Sequence, residues 1–248
     1  MTSTSASLRT PCLRRVVRWT LLCGLAACAV ALPVGSRVHA ADPVPADRFP
    51  EPSLYPVSWE FKFRHGTPKR VIVRVPGDER PMAYWYLTYT VMNLGDKAQT
   101  FEPDIEMVAD DSKTYHADRA IPLEVFDEIK KHEGNSLLVS SRKVSGVLNA
   151  GEEQARDGVA IWPEPVLRMG TFSIFVAGLS GEMLTLKKVG DKFVPVDPKK
   201  AAEELKDVKE EDRLVLRKQL QLTYKVYGDD IQPGNDPIEK KTEKWILR

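Results

Sequence analysis

The sequence predicts a mainly β protein, a two-layer antiparallel β-sandwich with two short inserted helices. Three observations predict it. Several stretches alternate apolar and polar residues with a period of two, as strands buried on one face require. Clusters of Gly, Pro, Asn and Asp interrupt them about every ten residues. Helical spacing is confined to two segments.

In chain order, residues 1–40 predict an export signal. Arg9, Arg14, Arg15 and Arg18 make a positive start with no acidic residue before Asp42. An apolar run from Trp19 to Val34 follows, and "SRVHA" places Val38 and Ala40 at the small-residue positions of a cleavage site. The run is shorter than the ~20 residues of a membrane span. Cleavage after Ala40 is expected. "LAAC" ending at Cys28 offers lipidation as the alternative, although the chain stays apolar after it. Cleavage removes Cys12, Cys23 and Cys28, and with them disulfides, thiolate catalysis and cysteine metal sites. It also removes five basic residues, leaving a mildly acidic chain without a basic block, a composition that argues against nucleic acid as a partner.

Residues 41–56 carry Pro43, Pro45, Pro50, Pro52 and Pro56 and predict an extended leader. Residues 57–248 are expected to form one domain. In "VSWEFKFR", Val57, Trp59, Phe61 and Phe63 share one face; "KRVIVRV" brings Val71, Val73 and Val75 inward. In "AYWYLTYTV", Trp85, Leu87, Tyr89 and Val91 face one way, and Tyr84, Tyr86, Thr88 and Thr90 the other. Asn93-Leu94-Gly95-Asp96 is a turn. Phe101, Ile105 and Met107 are in phase in the next strand, and "KTYHA" returns beside it.

"IPLEVFDEIKKHEG" predicts a helix buried through Leu123, Phe126 and Ile129 and ended by Gly134. Strands are expected over 137–148, 158–162 and 171–177. "VDPKKAAEELKDVKEEDR" predicts a second helix, capped by Asp197. The longest strand follows, with Leu214, Leu216, Leu220, Leu222, Tyr224 and Val226 on one face, and "KTEKWILR" closes the chain as an edge strand.

"YLTYTVMNLGDKAQTFEPDIEMVADDSKTY" and "VLNAGEEQARDGVAIWP" resemble immunoglobulin-like domains of unknown function in exported bacterial cell-envelope proteins, over roughly 83–177. The resemblance implies an immunoglobulin-like sandwich with no catalytic residues to carry over.

Catalytic and metal motifs are sparse. His65, His116 and His132 show no short zinc spacing. Ser180 in "GLSGE" lacks the spacing and strand-to-helix context of a nucleophile elbow. Acidic loops, above all Asp229, Asp230 and Asp236, are the place for calcium if a cofactor binds, although they lack the EF-hand spacing. The leading functional reading is a non-enzymatic, periplasmic or extracellular module that binds or scaffolds a protein or glycan of the cell envelope. Its contact surface would be the Tyr84/Tyr86 stripe or a strand edge around Trp245, available for strand addition. The alternatives are a carbohydrate-binding module that stacks sugars on an exposed Tyr84/Tyr86 stripe, provided no helix covers it, and a carboxylate-dependent hydrolase.

Overall fold

The computed structural model describes residues 50–77, 79–165, 169–228 and 236–248. The strands are β1 (Lys62–His65), β2 (Lys69–Val73), β3 (Met82–Asn93), β4 (Gln99–Phe101), β5 (Asp104–Val108) and β6 (Thr114–His116). Helix α1 (Leu123–Glu133), β7 (Val139–Ser140), the single turn α2 (Ser141–Val144), β8 (Gly146–Leu148) and β9 (Gly151–Pro163) come next. The chain then runs through β10 (Thr171–Ala177), β11 (Met183–Val189), β12 (Lys192–Pro195), the short α3 (Ala201–Glu204), β13 (Arg213–Val226) and β14 (Ile238–Leu247).

These strands form the two layers of a β-sandwich. In the first sheet β3 is central: β1 and β2 pair along one side of it, β9 along the other, and β7 runs parallel to β9. The second sheet runs β12-β11-β13-β10-β5-β6, with β14 also paired to β13. A two-stranded ribbon of β4 and β8 stands apart from both sheets.

Alternation explains the core. Trp85, Leu87, Tyr89 and Val91 of β3 meet Ile105 and Met107 of β5, Phe172, Ile174 and Val176 of β10, and Leu220, Leu222 and Tyr224 of β13. All are buried, and each such side chain withdrawn from water contributes roughly 1.5–3 kcal/mol. Gly158 of β9 pairs with Tyr89, and a Cβ there would stand 2.5 Å from the tyrosine ring, so the glycine makes room for the aromatic.

The other face of β3 is a second core. Tyr84 and Tyr86 pack with Val73, Val159 and Ile161 beneath Val125 and Ile129 of α1. The helix is buried through Val125 and Ile129, one turn apart, whereas Leu123 is exposed. The sequence-predicted face is therefore rotated: Val125 replaces Leu123, and Phe126 is only partly buried. Gly134 closes the helix with φ 61°, and its N–H donates to the Lys131 carbonyl.

Other expectations change as well. Val57 is exposed, and the first ladder starts at Lys62. Residues 137–148 fold as two short strands around one helical turn. The charged segment after Asp197 forms only the four residues of α3 and a separate 3-10 turn over Glu210–Asp212. The hairpin β11–β12, turned at Gly190 with φ 62°, occupies a stretch where no strand was expected.

Asn93 shows how turn chemistry fixes the fold. It is 2% exposed; its amide nitrogen donates to the carbonyls of Lys97 and Leu148, and its oxygen accepts from the N–H of Gly95. One side chain thus ties the end of β3 to β8.

Candidate functional site: the free side of the last strand

β14 pairs antiparallel with β13 from Ile238↔Val226 to Leu247↔Lys218, with a register shift between Thr223 and Tyr224. Among the described residues β14 has no other strand partner. Arg217 and Arg248 exchange both backbone hydrogen bonds, at 2.8 and 3.1 Å. Backbone direction alternates along a strand, so Ile246 and Lys244 also turn toward β13, while Leu247, Trp245 and Glu243 turn their N–H and C=O groups outward. Three consecutive donor–acceptor pairs are thereby presented along the sheet margin.

The side chains at these three positions share the face toward the other sheet, with Leu247 buried, Trp245 partly buried and Glu243 exposed. Leu247 packs with Leu186 and Leu216, and Trp245 is partly buried against the central core. The Glu243 carboxylate bonds Lys240 and lies 3.5 Å from His65 Nε2. The hydrogen bond from Lys240 holds its carboxyl below the usual range, with the His65 and Lys240 charges acting the same way against a smaller effect of burial. Lys240, Lys241 and Lys244 are exposed along the strand, a charge pattern that discourages indiscriminate pairing.

Lys218 anchors this margin. It lies in phase with the leucines of β13, is only 3% exposed, and its ammonium stands 5.0 Å from the centre of the Trp245 ring. The ammonium is 2.9 Å from Glu60 Oε2 and 3.2 Å from Glu182 Oε2, and it donates to the Ser53 carbonyl at 3.3 Å. Glu182 Oε1 accepts the Ser53 N–H at 2.8 Å. A clasp of one cation and two carboxylates thus ties Ser53 of the proline-rich leader to β13 and to the segments that lead into β1 and β11. Burial pulls the Lys218 pKa down, but the bonds and charges of Glu60 and Glu182 more than offset it, and the ammonium titrates above the ordinary lysine value. The sequence signal was present: a lysine inside the run Leu214, Leu216, Lys218, Leu220, Leu222.

The tyrosine stripe is not an open platform. Tyr84 is 5% and Tyr86 1% exposed, covered by α1. The Tyr86 hydroxyl donates to Glu133 at 2.7 Å and lies 3.0 Å from His132 Nδ1. Burial, then the hydrogen bond and charge of Glu133, push the Tyr86 phenol far above the ordinary tyrosine range. These tyrosines seat a helix, so the sugar-stacking role expected of them is corrected: a covered ring has no face to offer a pyranose.

Of the calcium candidates, Asp229 and Asp230 lie outside the described residues, and Asp236 is half-buried with its carboxylate against Gly228. The acids of the β5–β6 turn are occupied. Asp110 accepts the N–H groups of Gly170 and Thr171, and Asp111 accepts the Lys113 N–H and the Tyr115 hydroxyl. A cleft of about 360 Å³ opens beside α1, lined by Arg64, Thr88, Thr90, Asn135 and Asp157 among others. Both Asp157 oxygens are engaged within it, by Thr90 at 2.7 Å and Asn135 at 2.8 Å. One grouping of His and carboxylate side chains among the described residues has metal-ligand spacing: Asp104, Glu106 and His116.

Comparison with protein-family models, curated proteins and solved structures finds no match to this chain. Among the described residues, no helix is long and apolar enough to cross a membrane.

Proposed function

We propose that this protein is exported and acts without catalysis, as a β-sandwich that binds another cell-envelope component by accepting an extended segment of it along β14. One observation carries the reading. β14 is a ten-residue strand that, among the described residues, is paired on one side, and its outer side presents the backbone groups of Glu243, Trp245 and Leu247 in register. Strand addition draws affinity from such main-chain groups and specificity from alternate side chains. The signal-like segment 1–40 supports export, and the resemblance of residues 83–177 to immunoglobulin-like envelope domains supports the setting. Burial of the tyrosine stripe removes the observation that favoured a carbohydrate module.

Site-specific photo-crosslinking in the producing cell tests the proposal. A benzophenone side chain at Lys241, on β14, is expected to give a discrete adduct, while the same group at Glu153, exposed on β9, gives none. Equal labelling at both positions, or an adduct only at Glu153, overturns it.

A further inference from the structure

We propose a second, separate site: a divalent transition-metal site, of the kind zinc occupies, on the outer face of the second sheet. It is formed by Asp104, Glu106 and His116. Asp104 and Glu106 are two residues apart on β5 and so share a face, opposite the buried Ile105 and Met107. His116 of β6 is the direct cross-strand partner of Glu106. The sheet itself therefore places one imidazole and two carboxylates together. His116 Nδ1 lies 3.4 Å from Asp104 Oδ1 and 3.4 Å from Glu106 Oε1, and the three ligand atoms all lie within 4.8 Å of one another.

The two imidazole-to-carboxylate spacings, one of which is a long hydrogen bond from His116 to Asp104, are also those that a bound ion would set. With bonds of about 2.0–2.2 Å, neighbouring ligands around a tetrahedral ion stand roughly 3.3–3.6 Å apart. A hydrogen bond from nitrogen to oxygen prefers about 2.9 Å. Glu106 is also oriented from behind. Arg248 Nη1 donates to its other oxygen, Oε2, at 2.6 Å, and the guanidinium lies 4.3 Å from the centre of the Phe175 ring. That arrangement leaves Oε1 turned to His116, as outer-shell partners orient metal ligands. Three protein ligands leave a fourth position for water or for a donor from a partner. The imidazole selects against calcium and magnesium, which prefer all-oxygen sites.

Titration calorimetry of the chelator-treated full chain with zinc alone tests the assignment. One equivalent is expected to weaken at least tenfold in His116→Ala and in Asp104→Asn, and to stay unchanged in His132→Ala and Glu128→Gln. Zinc held by Cys12, Cys23 or Cys28 is common to all these proteins and cancels in the comparison. Because the substituted positions are at the surface, unchanged urea midpoints are expected to accompany the loss. Cobalt replacing zinc is expected to give the visible absorption of a tetrahedral site in the parent and not in His116→Ala. The proposal is overturned by the absence of zinc binding, by binding undiminished in both His116→Ala and Asp104→Asn, or by calcium binding as tightly as zinc.

Discussion

Lys218→Ala withdraws the cation that two carboxylates approach at 2.9 and 3.2 Å and that stands 5.0 Å from the centre of the Trp245 ring. Removing one partner of a buried ion pair costs about 3–5 kcal/mol, because the charge left behind has neither water nor a counter-ion. The lower end applies here. The Glu60 side chain is 22% exposed and can rehydrate, whereas that of Glu182 is 10% exposed and cannot do so as easily. A loss of about 3 kcal/mol in a domain of this size lowers the unfolding midpoint by roughly 6–12 °C. Urea unfolding followed by tryptophan fluorescence measures it. The triple variant Glu60→Gln, Lys218→Met, Glu182→Gln is expected to recover more than half the loss, since it removes the stranded charges and keeps the volume. A loss under about 1 kcal/mol in Lys218→Ala, or a triple variant as unstable as the single one, refutes the clasp as an electrostatic device.

The pH dependence of the clasp follows with its sign. Burial raises the Glu182 pKa, but the Ser53 amide and Lys218 outweigh it, so the folded value lies below the ordinary 4.5. A depressed folded pKa stabilises fully above the unfolded value, and that stabilisation is lost as pH falls through the folded one. Lys218 is the mirror case: its folded pKa is above 10.5, so its contribution holds below that pH and is lost as pH rises through the higher folded value. Both limbs are expected to flatten in Lys218→Ala.

Two further outcomes are expected. Tyr86→Phe removes the hydroxyl that bonds Glu133 and His132 and is expected to cost about 1–2 kcal/mol in urea unfolding, because Glu133 keeps Lys69 at 2.9 Å; no change at all would mean that the hydroxyl does not help to seat α1. Proline at Glu243 loses only an outward N–H, whereas proline at Lys244 removes a donor to β13, so Lys244→Pro is expected to be the less stable by more than about 1 kcal/mol; equal losses would contradict the assigned direction of the β14 backbone.

The strands were legible where one face is wet. β10 and the middle of β13 alternate between buried and partly exposed positions, and period two is then unmistakable. β3 is harder, because both its faces are covered and Tyr84 and Tyr86 carry polar tips that suit an exposed strand equally well. Which face a helix buries is a tertiary fact: Leu123 and Val125 are equally apolar, and only the position of α1 over β2, β3 and β9 decides between them. The charged run after Asp197 had helical composition but no apolar stripe to bury, so packing sustains only the single turn of α3. The clasp was half legible. Lys218 interrupts a leucine face, but its partner Glu60 is far away in sequence and Glu182 lies on another strand's approach, and only the tertiary pairing of Glu60 with Ser180 and of β11 with β13 brings them together. The pairing of His116 with Asp104 and Glu106 likewise depends on the β5–β6 register, which local spacing does not reveal.

The central claim is that β14 receives another strand. Amide hydrogen exchange of β14 in the crosslink-identified complex, compared with the free protein, tests it most directly. Glu243, Trp245 and Leu247 are expected to exchange rapidly alone and to become protected when the partner is bound, while Lys244 and Ile246 are protected in both states. A bound partner that leaves the amides of Glu243, Trp245 and Leu247 as fast as before would contradict strand addition and place the contact elsewhere on the sandwich.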